Sequence, residues 1–215
     1  MSDEAGRVDI HYVLDKLYYS HDNPRDKGTG FERFIKSFLV TEPLYAGRFE
    51  QVWMWSDWHE RGTRPDHGID LVARERDTGD LVAVQCKFFS PEAALPKGEI
   101  DSFLAESGKH PFRSRLLVTT AGRLNSAAEA AIENQQIPVN VIGLEDLVGS
   151  TLDWAQFDPS TPEVLTTLGR KRLRPHQRTA IDAVRAGFTE HDRGQLIMAC
   201  GTGKTFTSLR LAEKV

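Results

Sequence analysis

Residues 67–89 read HGIDLVARERDTGDLVAVQCKFF, and this stretch decides the fold. Residues 68–75 and 81–89 have the apolar and alternating character of β-strands, and the turn sequence DTGD lies between them. The second strand is too apolar for a surface strand. One of its faces is apolar throughout: Val82, Val84, Cys86 and Phe88. The stretch therefore predicts a β-hairpin whose second strand is buried.

The register of this hairpin predicts which side chains meet. If Asp77 pairs with Asp80, Asp70 lies opposite Lys87 and Val72 lies opposite Gln85. Paired residues share a face and the side-chain period is two, so residues 70, 72, 85 and 87 project together. Opposite Cβ atoms lie about 5 Å apart. A loop with an odd number of residues would instead place Asp70 and Lys87 on opposite faces.

A carboxylate and an ammonium group held together on rigid strands suit phosphodiester hydrolysis. The acid anchors a divalent cation, while the lysine orients or helps deprotonate the attacking water. The cation and the lysine also offset the negative charge that grows on the phosphate in the transition state. The alternative is a solvated cross-strand salt bridge. Because Gln85 and Lys87 lie in an apolar strand, where unmatched polar groups cost free energy, the pattern favours the catalytic interpretation.

The elements around the hairpin predict an α/β fold. Phe31, Phe34, Ile35, Phe38 and Leu39 recur at helical spacing and predict an amphipathic helix that ends before Pro43. The order is helix, three strands, then helix, strand, helix, strand, which predicts a mixed sheet flanked by helices. The other predicted elements are a helix over 8–20, a strand over 48–55, a helix over 99–107, a strand over 115–120, a helix over 125–136 capped by Asn125, and a strand over 139–142.

With Asp70 in HGIDL and with Gln85-Cys86-Lys87, the hairpin resembles the PD-(D/E)XK nuclease superfamily, in its Mrr-like restriction-endonuclease branch. The element order matches the core of that family. The resemblance implies that Asp70 and the main-chain carbonyl of Cys86 bind Mg²⁺, that Lys87 is catalytic, and that Gln85 lies in the active site. Glutamine replaces the second acid of the family's pattern, and the resemblance covers about residues 28–148.

In the same family an acid on the first core helix often completes the metal site, and Glu32 matches that position. The alternative is a capping box, in which Glu32 folds back to the Thr29 N–H at a helix N-terminus. Asp66 and His67 precede the strand and are other candidates for the site, although such turn residues are usually solvated. Three tryptophans are candidates for stacking on bases or for the core: Trp53, Trp55 and Trp58.

The segment from Gln195 to Thr205 predicts a buried strand, a glycine turn and a helix that begins near Thr205. Such a turn directs backbone N–H groups at a phosphate. The segment resembles motif I of superfamily 2 helicases, with Gly201, Thr202 and Gly203 in the loop. The resemblance implies that Lys204 binds the β- and γ-phosphates of ATP and that Thr205 ligates Mg²⁺.

The segment LRPHQ, which ends at Gln177, resembles the adenine-reading Q-motif of the same helicases. We therefore expect residues 173–215 to be the truncated start of a RecA-like P-loop domain, which uses ATP only in the complete motor. The predicted organisation is a nuclease domain over 1–150, a linker over 151–172 and this helicase fragment.

Composition limits the classes of function. Residues 1–150 carry 17 lysines and arginines against 24 acids, a net charge of −7 that argues against wrapping nucleic acid by bulk charge. The two cysteines lie in separate predicted domains, which indicates a reduced, cytoplasmic protein. No stretch is apolar enough to cross a bilayer, so no membrane partner is expected.

An Mrr-like nuclease ahead of a helicase motor resembles the Type ISP restriction–modification enzymes. The resemblance implies an ATP-dependent endonuclease that acts on double-stranded DNA in defence against foreign DNA. It also implies methyltransferase and target-recognition domains in the intact chain. Two alternatives remain: a non-catalytic DNA-binding or docking module, and an accessory domain of an RNA-processing helicase.

Overall fold

The computed structural model describes residues 8–62, 68–168, 173–198 and 204–213. The chain divides into two compact units, Met1–Leu168 and Gly169–Val215. The first unit contains the sheet and the predicted nuclease site. The second contains the predicted start of the motor.

Three helices open the first unit: α1 (Ile10–Tyr19), α2 (Pro24–Thr41) and α3 (Pro43–Arg48). Asn23 caps α2, since its Oδ1 accepts a hydrogen bond from the Asp26 N–H at 2.9 Å. Pro24 occupies the first helical position, where its missing N–H costs nothing. The predicted amphipathic helix is confirmed. The five apolar residues of the predicted pattern are buried: Phe31, Phe34, Ile35, Phe38 and Leu39.

The capping box predicted at Thr29 and Glu32 is wrong. The helix N-terminus lies at Pro24, so Glu32 is in the interior of α2, two turns from the cap. Inside a helix, the backbone N–H groups of the preceding turn already donate to backbone carbonyls, so the side chain of an interior residue finds no free N–H group to cap. Glu32 therefore has no capping role in α2.

Seven strands and three α-helices follow in the described residues of the first unit, and the predicted elements are present with shifted ends. The elements are β1 (Phe49–Met54), β2 (Leu71–Glu75), β3 (Leu81–Lys87), β4 (Ala94–Leu95), α4 (Asp101–Ser107), β5 (Phe112–Thr119), β6 (Arg123–Leu124), α5 (Ser126–Ile132), β7 (Val139–Ile142) and α6 (Leu144–Val148). As predicted, Asn125 caps its helix: the side chain accepts from the Ala128 N–H at 2.8 Å.

The main sheet has the strand order β1-β2-β3-β5-β7. The pairs β1–β2 and β2–β3 are antiparallel, whereas β3–β5 and β5–β7 are parallel. Parallel neighbours need a crossover, which here passes through α4 and then α5. The predicted mixed α/β sheet with flanking helices is confirmed, and β3 lies at its centre.

The predicted hairpin register is wrong by two residues. Leu71 pairs with Val84 and Val72 pairs with Ala83, so Asp70 lies level with Gln85 and not with Lys87. The cause is the loop: the Glu75 N–H donates to Asp80 O at 2.9 Å, which leaves four residues between the strands. Gly79 closes this loop at a φ of 73°, in the region that favours glycine. Because two and four are both even, the assignment of residues to faces is unchanged.

The two faces of the hairpin pack into separate apolar clusters. Leu71, Val84 and Cys86 belong to the cluster that includes Phe31 of α2. The opposite face, with Val72, Leu81 and Ala83, packs against Trp55, Trp58 and Phe103. Since side chains alternate along a strand, residues 70, 85 and 87 project on the side of Val72 and Ala83. Apolar side chains thus cover both faces of the hairpin as far as Leu71, where β2 begins.

Residues 151–168, assigned above to a linker, pack against the first unit. Trp154 and Phe157 are buried, with ring centroids 5.8 and 5.6 Å from that of Phe34. The buried carboxylate of Glu42 anchors the start of this segment, accepting from Ser150 Oγ at 2.8 Å and from the Thr151 N–H at 2.9 Å. The compact unit therefore extends to Leu168. The boundary of the nuclease domain at residue 150 stays a prediction.

The substitution Glu42→Gln tests this anchor. An amide keeps one oxygen for these two donors but loses the negative charge that strengthens both bonds, and its N–H group replaces the second oxygen, which accepts from Thr151 Oγ1 at 3.1 Å. We therefore expect the free energy of unfolding to fall by about 1–2 kcal/mol. Urea denaturation followed by circular dichroism measures the change. Glu50→Gln, at an exposed position of β1, is the matched control and should change stability by less than about 0.5 kcal/mol. Equal urea midpoints for the two variants would contradict the assignment.

The second unit contains α7 (Pro175–Phe188) and α8 (Lys204–Ala212). The helix predicted near Thr205 is confirmed, whereas residues 195–198 form no strand and Ile197 is 87% exposed. A strand needs a hydrogen-bonded neighbour, and the described part of this unit contains no other strand. The loop residues 199–203 lie outside the described residues. No helix in the described ranges has the length and apolar character needed to span a bilayer.

Candidate active site

The ends of β2 and β3 and one face of α2 surround a cleft of about 720 Å³. The cleft gathers most of the residues that the sequence predicts for the site. Its walls include Glu32, Asp70, Gln85, Cys86 and Lys87, together with Glu99.

Asp70 lies directly before β2 and is held by both its main chain and its side chain. Its N–H donates to Val84 O at 2.9 Å. Its Oδ2 accepts from the Cys86 N–H at 2.6 Å and from Gln85 Nε2 at 3.0 Å. The carboxylate therefore accepts from the Cys86 N–H, which the main chain of a longer β2 would otherwise have bonded. These contacts fix the position of the carboxylate at the edge of the cleft.

Gln85 contributes a buried amide, 4% exposed, at the end of β3. Its Nε2 donates to Asp70, but its Oε1 has no hydrogen-bond partner among the described residues. A buried acceptor without a partner costs about 1–3 kcal/mol, and a bound cation removes that cost. Gly68 lies beside this atom, and its own position requires glycine. A Cβ there would approach Gln85 Oε1 to 3.4 Å and Ser102 Oγ to 2.7 Å, at a φ of 87°.

Cys86 places its carbonyl on the side of Asp70. The Lys87 carbonyl accepts from the Thr120 N–H on the β5 side, and groups of successive residues alternate between the neighbours of a strand. Burial raises the pKa of the Cys86 thiol well above its usual value, and the carboxylates of Asp70 and Glu32 raise it further. The thiol is therefore neutral near pH 7. Because both carboxylates raise the pKa of the same side chain, both lie near Cys86.

Glu32 lies on α2 and lines both the main cleft and a smaller adjoining cavity of about 280 Å³, in each case with Asp70. The preceding residue fixes the helix against β3: the rings of Phe31 and Phe88 stack with centroids 4.7 Å apart. An aromatic contact thus holds the acid-bearing helix beside the end of the strand that carries Gln85 and Lys87.

Lys87 points to a partner that the sequence analysis missed. Its Nζ lies 3.0 Å from Glu99 Oε2, and the two side chains are 20% and 44% exposed. Glu99 ends a short 3₁₀-helix, Lys97–Glu99, and the fully buried Ile100 follows it. Nothing in the local sequence marks Glu99, because the contact joins residues that only the tertiary structure brings together. Lys87 lies diagonally across from Asp70, not directly opposite.

The oxygen donors around Asp70 fit a hard divalent cation. The described residues include no group of three His, Cys, Asp or Glu side chains arranged as a metal site. The oxygen atoms gathered there are instead those of the Asp70 and Glu32 carboxylates, Gln85 Oε1 and the Cys86 carbonyl, and Mg²⁺ prefers such an oxygen-only set. The residues present therefore fit Mg²⁺, and the assignment of each ligand stays a prediction.

The other candidates for the nuclease site lie outside the cleft or outside the described residues. Trp55 and Trp58 are buried, and their ring centroids are 5.5 Å apart, so they are core residues. Trp53 is half-buried, with the Arg74 guanidinium 5.4 Å from its ring. Asp66 and His67 lie outside the described residues.

The predicted nucleotide-binding residues belong to the second unit. Gln177 is buried at the third position of α7, and its Oε1 accepts from the Arg174 N–H at 3.0 Å, a helix-capping contact. Lys204 is exposed at the start of α8, with its Nζ 3.4 Å from Met198 O. The side chain of Thr205 and the loop residues Gly201, Thr202 and Gly203 are outside the described part of the chain. The ATP-binding roles stay predictions.

Comparison with known proteins gives the family. The profile of the Mrr_cat_2 family, described as a restriction endonuclease, matches residues 40–164, more than half of the chain. The profile described as "Type III restriction enzyme, res subunit" matches residues 170–215. The chain therefore belongs to the Mrr-type restriction endonuclease family and continues into the start of a restriction-enzyme helicase. Among the curated proteins compared, none matches.

One solved structure supports the same assignment. The chain is 41% identical to the ATP-dependent Type ISP restriction-modification enzyme LlaBIII, solved bound to DNA, with a TM-score of 0.74 over 94% of this chain. It spans only 13% of the length of LlaBIII. MspJI in complex with a 27-mer oligonucleotide is 19% identical over 63% of this chain and 29% of its own, with a TM-score of 0.40. AspBHI is 16% identical over 65% and 34%, with a TM-score of 0.42. The last two likenesses are too weak to support an argument.

The substitution Gln85→Glu tests the geometry of the site. It places a second carboxylate where the amide now donates to Asp70 Oδ2 at 3.0 Å, and two like charges in contact destabilise the fold. We expect a melting temperature several degrees lower in chelator, and a larger gain on adding Mg²⁺ than the unchanged protein shows. Differential scanning calorimetry with and without Mg²⁺ measures both. An unchanged melting temperature in chelator would show that residues 70 and 85 are not in contact.

Proposed function

We propose that the first unit is the Mg²⁺-dependent DNA endonuclease domain of an ATP-dependent restriction–modification enzyme. The observation that carries the proposal is the arrangement of Asp70, Gln85 and Lys87 on one edge of the sheet, facing Glu32 across an open cleft. In the proposal, the substrate is double-stranded foreign DNA in the cytoplasm, and the second unit begins a helicase-like translocase. The proposal includes methyltransferase and target-recognition domains in the intact protein, and this chain spans 13% of the length of its solved relative.

The mechanism assigns a role to each side chain in the cleft. Asp70, Glu32, Gln85 Oε1 and the Cys86 carbonyl would hold Mg²⁺, which would act as a Lewis acid and lower the pKa of a bound water. Gln85 also orients the Asp70 carboxylate through its Nε2 donor. Hydrolysis adds the hydroxyl of a water to phosphorus and a proton to the leaving sugar oxygen. Lys87 orients that water and donates to a non-bridging phosphate oxygen, where negative charge grows.

Glu99 fits the role of a positioning residue in this mechanism. A lysine ammonium has three N–H donors, and the contact with Glu99 uses one of them at 3.0 Å. Two donors remain for the water and the phosphate. The backbone of Glu99 is itself held, because its N–H donates to Pro96 O at 3.1 Å and the neighbouring Ile100 is buried. Glu99 thereby fixes the direction of the Lys87 side chain.

Substitution of Asp70 or Lys87 by alanine tests the proposed activity. In the full-length protein with duplex DNA, ATP and Mg²⁺, each variant should lose cleavage by at least about a hundredfold. Asp70→Ala removes a ligand of the cation, and Lys87→Ala removes a positive charge that stabilises the transition state. ATPase activity should be unchanged. Lys97→Ala and Asp101→Ala, which break an exposed ion pair of 2.5 Å outside the cleft, are the matched controls.

Undiminished cleavage by Asp70→Ala or Lys87→Ala would eliminate the endonuclease assignment. Cleavage that is absent from the unchanged protein, with DNA binding and ATPase activity intact, would instead favour a non-catalytic docking module. ATPase activity that RNA stimulates and duplex DNA does not would favour the RNA-processing alternative.

The positioning role of Glu99 predicts a separation of binding from catalysis. In Glu99→Ala, the rate of single-turnover cleavage should fall about tenfold because Lys87 loses its fixed direction. The Kd for DNA should stay equal or tighten, because the variant removes a negative charge from the cleft. Glu99→Gln keeps an acceptor oxygen and should recover part of the rate. Glu106→Ala, which breaks the surface pair with Lys109, is the control. Equal cleavage rates for Glu99→Ala and the control would refute the role.

A further inference from the structure

One face of α2 lines the cleft along more than two helical turns. Arg25, Gly28, Thr29 and Glu32 all contribute to its wall. Their spacing of three, four and seven residues places them on a single stripe of the helix. At a rise of 1.5 Å per residue, Arg25 lies about 10 Å along the axis from Glu32. The stripe thus runs from the candidate metal site towards the outer end of the cleft.

The two ends of this stripe differ in charge. At the inner end lie the carboxylates of Glu32, Asp70 and Glu99, with Lys87 paired to Glu99. At the outer end, Arg25 and Lys27 line the cleft together with one acid, Asp22. Neither cation is in an ion pair within the described ranges. The Lys27 Nζ lies 3.5 Å from the centroid of the Tyr18 ring, so its charge is held at the wall without being neutralised.

The middle of the stripe is flat. A Cβ added at Gly28 would meet no atom within 4 Å, so the helix surface is open to the cleft at that point. Glycine in a helix interior costs about 1 kcal/mol relative to alanine, and no contact or positive φ within the protein requires it here. The hydroxyl of Thr29 is the neighbouring hydrogen-bonding group on the same stripe.

We propose that this face of α2 is a binding site for the sugar–phosphate backbone of DNA beside the scissile phosphate. Arg25 and Lys27 bind a flanking phosphate, and Gly28 lets the strand approach the helix closely. The chemistry favours a polyanion, since the only cations of the cleft that lack a carboxylate partner among the described residues lie at its outer end. The inference rests on the proposed endonuclease function and adds where the strand lies.

The salt dependence of DNA binding tests the two cations. The 215-residue chain is titrated in Ca²⁺ into a short fluorescent duplex, and Kd is measured by anisotropy from about 50 to 200 mM salt. Arg25→Ala and Lys27→Ala should each weaken binding about tenfold at low salt and reduce the slope of log Kd against log salt by about 1. Lys16→Ala is the matched control, because Lys16 also lies over a tyrosine ring, at 4.7 Å from Tyr12, but outside the cleft.

Substitutions at Gly28 test the close approach. Gly28→Phe should weaken binding at least tenfold, whereas Gly28→Ala should bind like the unchanged chain and melt at a higher temperature. Gly47→Phe is the control, since Gly47 of α3 is also open to solvent and does not line the cleft. Circular dichroism melting curves confirm that each variant is folded.

Wild-type slopes in both cation variants, or wild-type binding by Gly28→Phe, would overturn the inference. Those results would leave the endonuclease assignment intact, because cleavage by the full-length protein and its loss in Lys87→Ala are measured separately. Failure of the unchanged chain to bind duplex DNA under any of these salt conditions would overturn the inference as well. Loss of cleavage in Gly28→Phe with unchanged ATPase activity would support it.

Discussion

The carboxylate of Asp70 ends the hydrogen-bond ladder between β2 and β3, and the candidate site depends on this contact. β3 runs beyond the last paired residue of β2, so the Cys86 N–H has no main-chain partner on that side. Asp70 supplies the missing acceptor at 2.6 Å and accepts from the Gln85 amide as well. The same contacts leave Gln85 Oε1 without a partner among the described residues and keep the Cys86 carbonyl on the side of Asp70. The interaction that finishes the sheet therefore also arranges the oxygen donors.

The apolar packing of α2 determines that Glu32 lies at the cleft with those oxygen donors. The stacked rings of Phe31 and Phe88 hold α2 against the end of β3, and Phe34 receives Trp154 and Phe157 from the segment after residue 150. Because Glu32 follows Phe31, the contact that buries one side chain places the next one at the cleft. The segment that leads to the second unit thus packs on the helix that carries Glu32.

The hairpin shows how far local pattern extends. Strand type, burial and the choice of face follow from period-two alternation in residues 68–89, and all three agree with the structure. The register does not, because DTGD at 77–80 allows loops of two or four residues and the pairing of Glu75 with Asp80 selects the longer one. The capping box at Thr29 and Glu32, the alternative interpretation of Glu32, also differs from the structure, because α2 begins at Pro24 and Asn23 is its cap. The strand predicted at 195–198, within the described residues, is absent, because a strand forms only beside a hydrogen-bonded partner strand and the local sequence does not provide one.

The sequence by itself determined the order of elements, the buried character of β3 and the identity of most candidate site residues. These properties follow from side-chain period, polarity and turn chemistry, which are local. Only the tertiary structure decided that Asp70 meets Gln85, that Lys87 meets Glu99, and that Arg25, Lys27 and Gly28 share a cleft with them. Those contacts join residues that are not neighbours in the chain. Their geometry depends on strand register, on where helices begin and on the packing of aromatic rings, and the local pattern of polar and apolar residues does not determine these features.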